Sequence, residues 1–243
     1  MHSFIFSMLL ITFACAATRT AETAALRIML YGDSISAGSN IADGKASDAW
    51  ATLVQAKGKI EFINVSRGGR STNSEKDFIE ALKSSSRLDA IIIALGTNDA
   101  RDLSTNMVVN AVAHIDAMVV AAKAAGVKRF VIFGPTNINK NALKASFNIR
   151  SERDENTKNL NAAYEKYTKE KNLGFISLYG RVPEDSLRAD GVHPDKAGNI
   201  ALAEFLADKI ISVLQSPQTE KAHVNPAGGQ QAPVRDKNQN NSP

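Results

Sequence analysis

Cysteine is almost missing from this chain. Its 243 residues hold one, Cys15, inside an apolar N-terminal segment. With that segment removed no thiol remains, which excludes disulfides, cysteine-ligated metals and a cysteine nucleophile. Aromatic residues are sparse, at 6%, and the net charge of +4 comes from scattered Lys and Arg. No basic block interleaved with aromatics exists, so nothing supports nucleic-acid binding. No His/Asp/Glu cluster has metal-ligand spacing, and no G-x-G-x-x-G follows a strand. The stretch GSNIADGK (38–45) is one residue too long for a phosphate loop and has Ala46 after its Lys45. Neither a metal nor a cofactor is expected.

Long apolar runs are also scarce. Phe4 to Ala17 is short for a membrane span and gives way to small residues. Residues 1–17 read as a secretory signal cleaved near Ala16 or Ala17, followed by a linker over 18–25. The alternatives are an uncleaved anchor and a lipoprotein through Cys15, for which Thr12-Phe13-Ala14 is a poor lead-in. No other apolar run is long enough to cross a membrane, so stable insertion is not expected and the location is secreted or periplasmic. At the other end, residues 216–243 are rich in Pro, Gln, Asn and Gly and read as a disordered tail. The folded unit is then residues 26–215.

Within that unit strands and helices alternate. The runs 27–31, 60–65, 89–95 and 129–134 are short, apolar and rich in Ile, Val and Phe, and 174–178 is a weaker fifth. Such runs suit strands covered on both faces. Helical spacing falls at 48–56, 76–82, 105–125, 151–171 and 195–214. Repeated strand–helix units predict an α/β fold with a five-stranded parallel sheet between two helical layers. Ligands bind such sheets at the carboxyl ends of the strands. The loops GDSISAG, SRGGRST, GTNDARD, GPTNINK and GRVPEDSLRADGVHP should therefore meet at one edge.

A serine hydroxyl becomes a nucleophile when a neighbouring base takes its proton and a third group fixes that base. Ser34 ends the first strand. Of the four histidines, His2 lies in the signal, His223 in the tail and His114 within a helix, which leaves His193 in a post-strand loop. Asp190 precedes His193 by three residues, across Gly191, and can reach one ring nitrogen. Pro194 fits the first turn of the last helix. Donors for an oxyanion are available from the Ser34 N–H, a glycine N–H in RGGRS and the Asn98 side chain. Each could instead be ordinary turn chemistry. Asn64-Val65-Ser66 is formally a glycosylation acceptor.

GDSIS after the first strand, NVSRGGRS after the second, GTND after the third and DGVHP before the last helix resemble, in order and spacing, the four motif blocks of the SGNH hydrolases, the superfamily of GDSL esterases and lipases. The resemblance runs from Gly32 to Pro194 and departs only in Ile35-Ser36 where the first block usually carries Leu. It implies a flavodoxin-like α/β/α sandwich with strand order 2-1-3-4-5. It implies Ser34 as nucleophile, His193 as base and Asp190 as its orienting partner. Ser34, Gly69 and Asn98 would form the oxyanion hole, with Gly68 the alternative register. Asp33 and Asp99 would hold their loops.

Asp33, Arg70 and Asn137 are the expected substrate contacts. They belong to a polar rim with Ser71, Thr72, Asn73, Arg101, Asp102, Asn139, Lys140 and Asn141. Such a rim suits a small-molecule or glycan ester with a short acyl group. With a secretory signal, O-deacetylation of a carbohydrate is the favoured activity. The alternatives are a lysophospholipase, thioesterase or arylesterase, an acyltransferase on the same residues, and a non-catalytic glycan-binding module of the cell envelope.

Overall fold

The computed structural model describes residues 24–39, 44–141 and 150–218. The expected signal segment with His2 and Cys15, most of the linker, and the tail from residue 219 with His223 lie outside the described residues. So do positions 40–43 of the GSNIADGK stretch.

Five strands form one parallel sheet in the order β2-β1-β3-β4-β5. They are β1 (Leu26–Gly32), β2 (Ile60–Asn64), β3 (Ala90–Ala94), β4 (Phe130–Gly134) and β5 (Gly174–Ser177). The connecting helices are α1 (Trp50–Gln55), α2 (Glu75–Ser84), α3 (Met107–Ala124), α4 (Arg150–Lys171) and α5 (Lys196–Gln215). Strand periodicity divides the core. Ile28, Leu30, Ile92, Val131 and Phe133 face α1 and α5. Met29, Tyr31, Ile91, Ile93, Phe130 and Ile132 face α2, α3 and α4. Every residue of β3 and β4 is buried, as their unbroken apolar runs require, whereas edge strands β2 and β5 are partly exposed. Each fully buried Ile or Phe contributes roughly 1.5–3 kcal/mol of transfer free energy, so the three interior strands, β1 with β3 and β4, dominate cohesion.

Three differences from the sequence reading matter. Helix α3 is apolar and long enough to cross a membrane by composition, contrary to expectation. It packs between α2 and α4 with Ala111, Ile115, Met118 and Ala122 buried, which is why its sequence is so apolar. Next, α5 starts after Pro194. Asp195 is its N-cap and accepts from the Gly198 N–H at 2.8 Å, while Pro194 bridges back to Leu187. Finally, contacts continue past 215: the Gln218 side chain pairs with both N–H and C=O of Phe130, at 3.0 and 3.1 Å.

Candidate active site

The turn after β1 closes on itself. Ala37 N–H donates to the Asp33 carbonyl at 2.9 Å and Ser39 N–H to the Ser34 carbonyl at 3.0 Å. Only glycine fits at position 32, because a Cβ there would lie 2.6 Å from both Cβ and Oγ of Ser36. The turn lifts Ser34 off the sheet edge, leaving it 8% exposed.

His193 reaches the same place from the loop before α5. That loop is laced by Arg188 N–H to His193 O at 2.8 Å, Asp195 N–H to Ser186 O at 2.9 Å, and Asn139 N–H to Gly191 O at 2.8 Å. His193 Nδ1 lies 2.8 Å from Asp190 Oδ2, and Nε2 lies 2.8 Å from Ser34 Oγ. With Nδ1–H donating to the carboxylate, Nε2 accepts from the serine hydroxyl. Asp190 Oδ1 also accepts the backbone N–H groups of Val192 and His193, at 2.9 and 3.0 Å. Burial raises the Asp190 pKa, but those two N–H bonds and the His193 ring outweigh it and hold the carboxyl below its ordinary range. A charged, oriented acceptor behind the imidazole is what a serine–histidine pair needs.

The second and third loops supply donors. Arg67 N–H donates to the Gly32 carbonyl at 3.1 Å, which seats the RGGR turn beside the nucleophile turn. Gly68 faces Ser34, since a Cβ on it would lie 4.0 Å from Ser34 Cβ. Gly69 carries the turn's positive φ of 73°, a conformation that favours glycine. Among the described residues, the N–H groups of Ser34, Gly68 and Gly69 have no protein acceptor. The Asn98 amide donates one proton to the Arg70 carbonyl at 2.9 Å and keeps its second. Asp99, next in the chain, takes Thr72 N–H at 3.0 Å and the Thr72 hydroxyl, tying the third loop to the second.

Residues 30–201 match the GDSL-like Lipase/Acylhydrolase family. The chain belongs to this family, within the SGNH hydrolase superfamily. It is therefore a serine hydrolase acting on carboxylic esters. Solved structures share the fold. A carbohydrate acetylesterase family member from Sinorhizobium meliloti is 21% identical over 78% of this chain and 99% of its own, with a TM-score of 0.65. The M. smegmatis aryl esterase is 23% identical over 78% of this chain and 100% of its own, TM-score 0.65. A lipolytic G-D-S-L family protein from Veillonella parvula is 21% identical over 79% and 100%, TM-score 0.63. No curated protein sequence matches the chain.

The three expected substrate contacts of this GDSL-like hydrolase are turned inward instead. Arg70 Nη1 donates to Gly32 O at 3.1 Å and Val65 O at 2.7 Å, and its guanidinium sits 4.0 Å over the Tyr31 ring. Asn137 donates to Val182 O at 2.9 Å and accepts from Gly180 N–H at 3.0 Å, spending its amide on the loop after β5. Asp33, 2% exposed, accepts from Ile35 N–H at 2.9 Å. Burial raises its pKa to about 6 against the Ile35 and Thr97 bonds and the His193 charge. All three brace loops. Thr72 is buried too, whereas Asn73, Arg101, Asp102, Lys140 and Asn141 remain exposed. The side chain of Asn64, in the sequon, is engaged as well, donating to the Ser36 carbonyl at 2.8 Å.

Two bracing residues escaped the sequence reading. Arg153, 6% exposed on α4, donates to the Thr97 carbonyl at 3.1 Å. Asn156, one turn on, donates to Ala100 O at 3.2 Å and Asp102 O at 2.9 Å. Together they clamp the loop that carries Asn98. Burial and Arg101 push the Arg153 pKa down to about 10 against the fields of Asp190 and Asp33. Their signal lay in spacing: Arg153, Thr157, Leu160 and Tyr164 share one helical face, so the arginine falls on the buried stripe. Among the described residues no three His, Cys, Asp or Glu side chains gather as a metal site would require.

Proposed function

We propose that this hydrolase removes short acyl groups, acetyl foremost, from hydroxylated alcohols, carbohydrates in particular, and does so outside the cytoplasm after cleavage of its N-terminal signal. Ser34 Oγ attacks the ester carbonyl as its proton passes to His193 Nε2. The developing oxyanion takes hydrogen bonds from Ser34 N–H, Gly69 N–H and the free proton of the Asn98 amide. His193, now charged and held by Asp190, protonates the leaving alcohol as the carbonyl–alkoxy bond breaks. Water then attacks the acyl carbonyl as its proton passes to His193, which returns a proton to Ser34 Oγ as the acyl–oxygen bond breaks and the acid leaves.

The observation that carries the chemistry is the continuous chain from Asp190 through His193 to Ser34, with both links at 2.8 Å. One feature supports the substrate class: the exposed part of the rim, Asn73, Arg101, Asp102, Lys140 and Asn141, is polar throughout. The S. meliloti carbohydrate acetylesterase relative is consistent with it, and the M. smegmatis aryl esterase supports aryl esters as the second reading.

Hydrolysis of p-nitrophenyl acetate, butyrate, octanoate and palmitate by the full chain tests acyl length. Acetate release from acetylated xylan tests the alcohol. Activity confined to acetate and butyrate, with acetate freed from xylan, is expected. Preference for octanoate overturns the short-chain reading, and aryl acetate turnover without release from xylan promotes the arylesterase.

A further inference from the structure

A recess of about 240 Å³ opens on the α2/α3 side of the oxyanion loop. Asn98 forms part of its wall, so it adjoins the reaction centre. The 71–73 loop, the 99–102 turn and the first turns of α3 enclose it, and eight of its ten lining residues are polar or charged. An acyl or aryl group would gain little there, because burial rewards only apolar surface.

The unused hydrogen-bonding groups define what would gain. The Asn110 side chain has no partner among the described residues. His114, one turn further along the same face, binds Glu75 through Nδ1 and keeps Nε2. Asn73 Oδ1 accepts from the Ser71 hydroxyl at 2.7 Å, which leaves its NH2 group as a donor. These are mixed donors and acceptors, the pattern that hydroxyl groups match.

Charge narrows the choice. No Lys or Arg lines the recess, while Asp99 and Asp102 do, so an anion is disfavoured. Both carboxylates already accept hydrogen bonds, Asp99 from Thr72 and Asp102 from Ser104 N–H and hydroxyl at 2.9 Å each, and no third His, Asp or Glu joins them as a metal site would require among the described residues. The volume lies just below the roughly 300–1,000 Å³ of typical ligand pockets, space for one ring rather than a chain.

We propose that this recess is a subsite for one neutral sugar ring of the substrate, beside the scissile ester across Asn98. The inference rests on the glycan-ester reading above and adds where the glycan lies. Asn73, His114 and Asp99 are held before binding by Ser71, Glu75 and Thr72, so little of their freedom is lost when the ring enters, and Asn110 is the group left to order.

Two measurements test it. In the first, xylotriose, chitotriose and trigalacturonate are each added to full-length Ser34→Ala, and the side-chain amide NMR signals of Asn73 and Asn110 are followed. A neutral trisaccharide is expected to shift both, and the anionic one neither. In the second, kcat/KM is compared for acetylated xylotriose and p-nitrophenyl acetate in wild type, Asn110→Ala and Asn73→Ala/Asn110→Ala. Losing two neutral hydrogen bonds should lower the ratio of the two substrates on the order of tenfold in the double variant.

An unchanged ratio, with acetate still released from the trisaccharide, overturns the subsite and leaves the esterase reading intact. Amide shifts without acetate release keep the sugar site and sink the glycan-ester reading. Absence of shifts with either neutral sugar, or equal shifts with trigalacturonate, overturns the proposal whatever the esterase does.

Discussion

Asp190 holds His193 twice: Oδ2 meets the ring nitrogen at 2.8 Å and Oδ1 accepts the same residue's backbone N–H at 3.0 Å. The three-residue spacing makes this possible. One carboxylate fixes both where the imidazole starts and which way it points, and Val192 N–H steadies the same oxygen.

Asp190→Asn should therefore leave the fold intact and cut kcat by ~10³–10⁴-fold, because the amide can present its NH2 to the ring and favour the wrong tautomer. Steady-state kinetics on p-nitrophenyl acetate with thermal unfolding alongside checks this. A loss under tenfold would mean that Asp190 only shapes the loop.

Arg153→Met should lower kcat more than it raises KM. Freed from the guanidinium, the Thr97 carbonyl lets the Asn98 peptide shift, and a shift of about 1 Å at a reacting geometry costs as much as ~100-fold. Arg153→Lys should recover part of the rate. Equal losses in both parameters, or none, would reduce Arg153 to a structural role.

Gly32→Ala should destabilise by ~1–3 kcal/mol and lose most activity, since the new Cβ collides with Ser36 and displaces the nucleophile turn. Denaturant unfolding and kinetics on the same preparation measure both. Full activity would show that the turn relaxes without moving Ser34.

Much of this architecture was legible in sequence because parallel strands announce themselves as unbroken apolar runs. All five strands and all five helices fall where periodicity placed them; one histidine was left at the strand ends, and the resemblance of GDSIS and DGVHP to the family's motif blocks pointed to Ser34, His193 and Asp190. What stayed hidden depends on contacts distant in sequence. Arg70 and Asn137 look like exposed loop residues, yet the tertiary fold spends them on the carbonyls of Gly32 and Val182. Arg153 looked like one more charge on a charged helix. Pro194 suited a helix start in sequence, but its pairing with Leu187 moved that start to Lys196.

Asp33 gives the pH behaviour a sign. Its carboxyl titrates at about 6 in the fold, above the ordinary 3.8, because it is buried. Between those values the folded chain holds a proton that the unfolded chain releases, so its contribution is fully present below pH 3.8 and lost as pH rises through 6. The loss is on the order of 3 kcal/mol. Asp33→Asn should flatten this part of the stability curve, measured by urea unfolding from pH 4 to 7. Parallel curves for the two proteins would contradict the assignment.

The central claim is that Ser34 carries the acyl group. Treating the full chain with diethyl p-nitrophenyl phosphate and mapping the adduct by peptide mass spectrometry tests it most directly. One phosphoryl group on Ser34, formed as activity disappears and not formed in His193→Ala, is the predicted result. An adduct on another residue, or inactivation with Ser34 unmodified, would contradict the account.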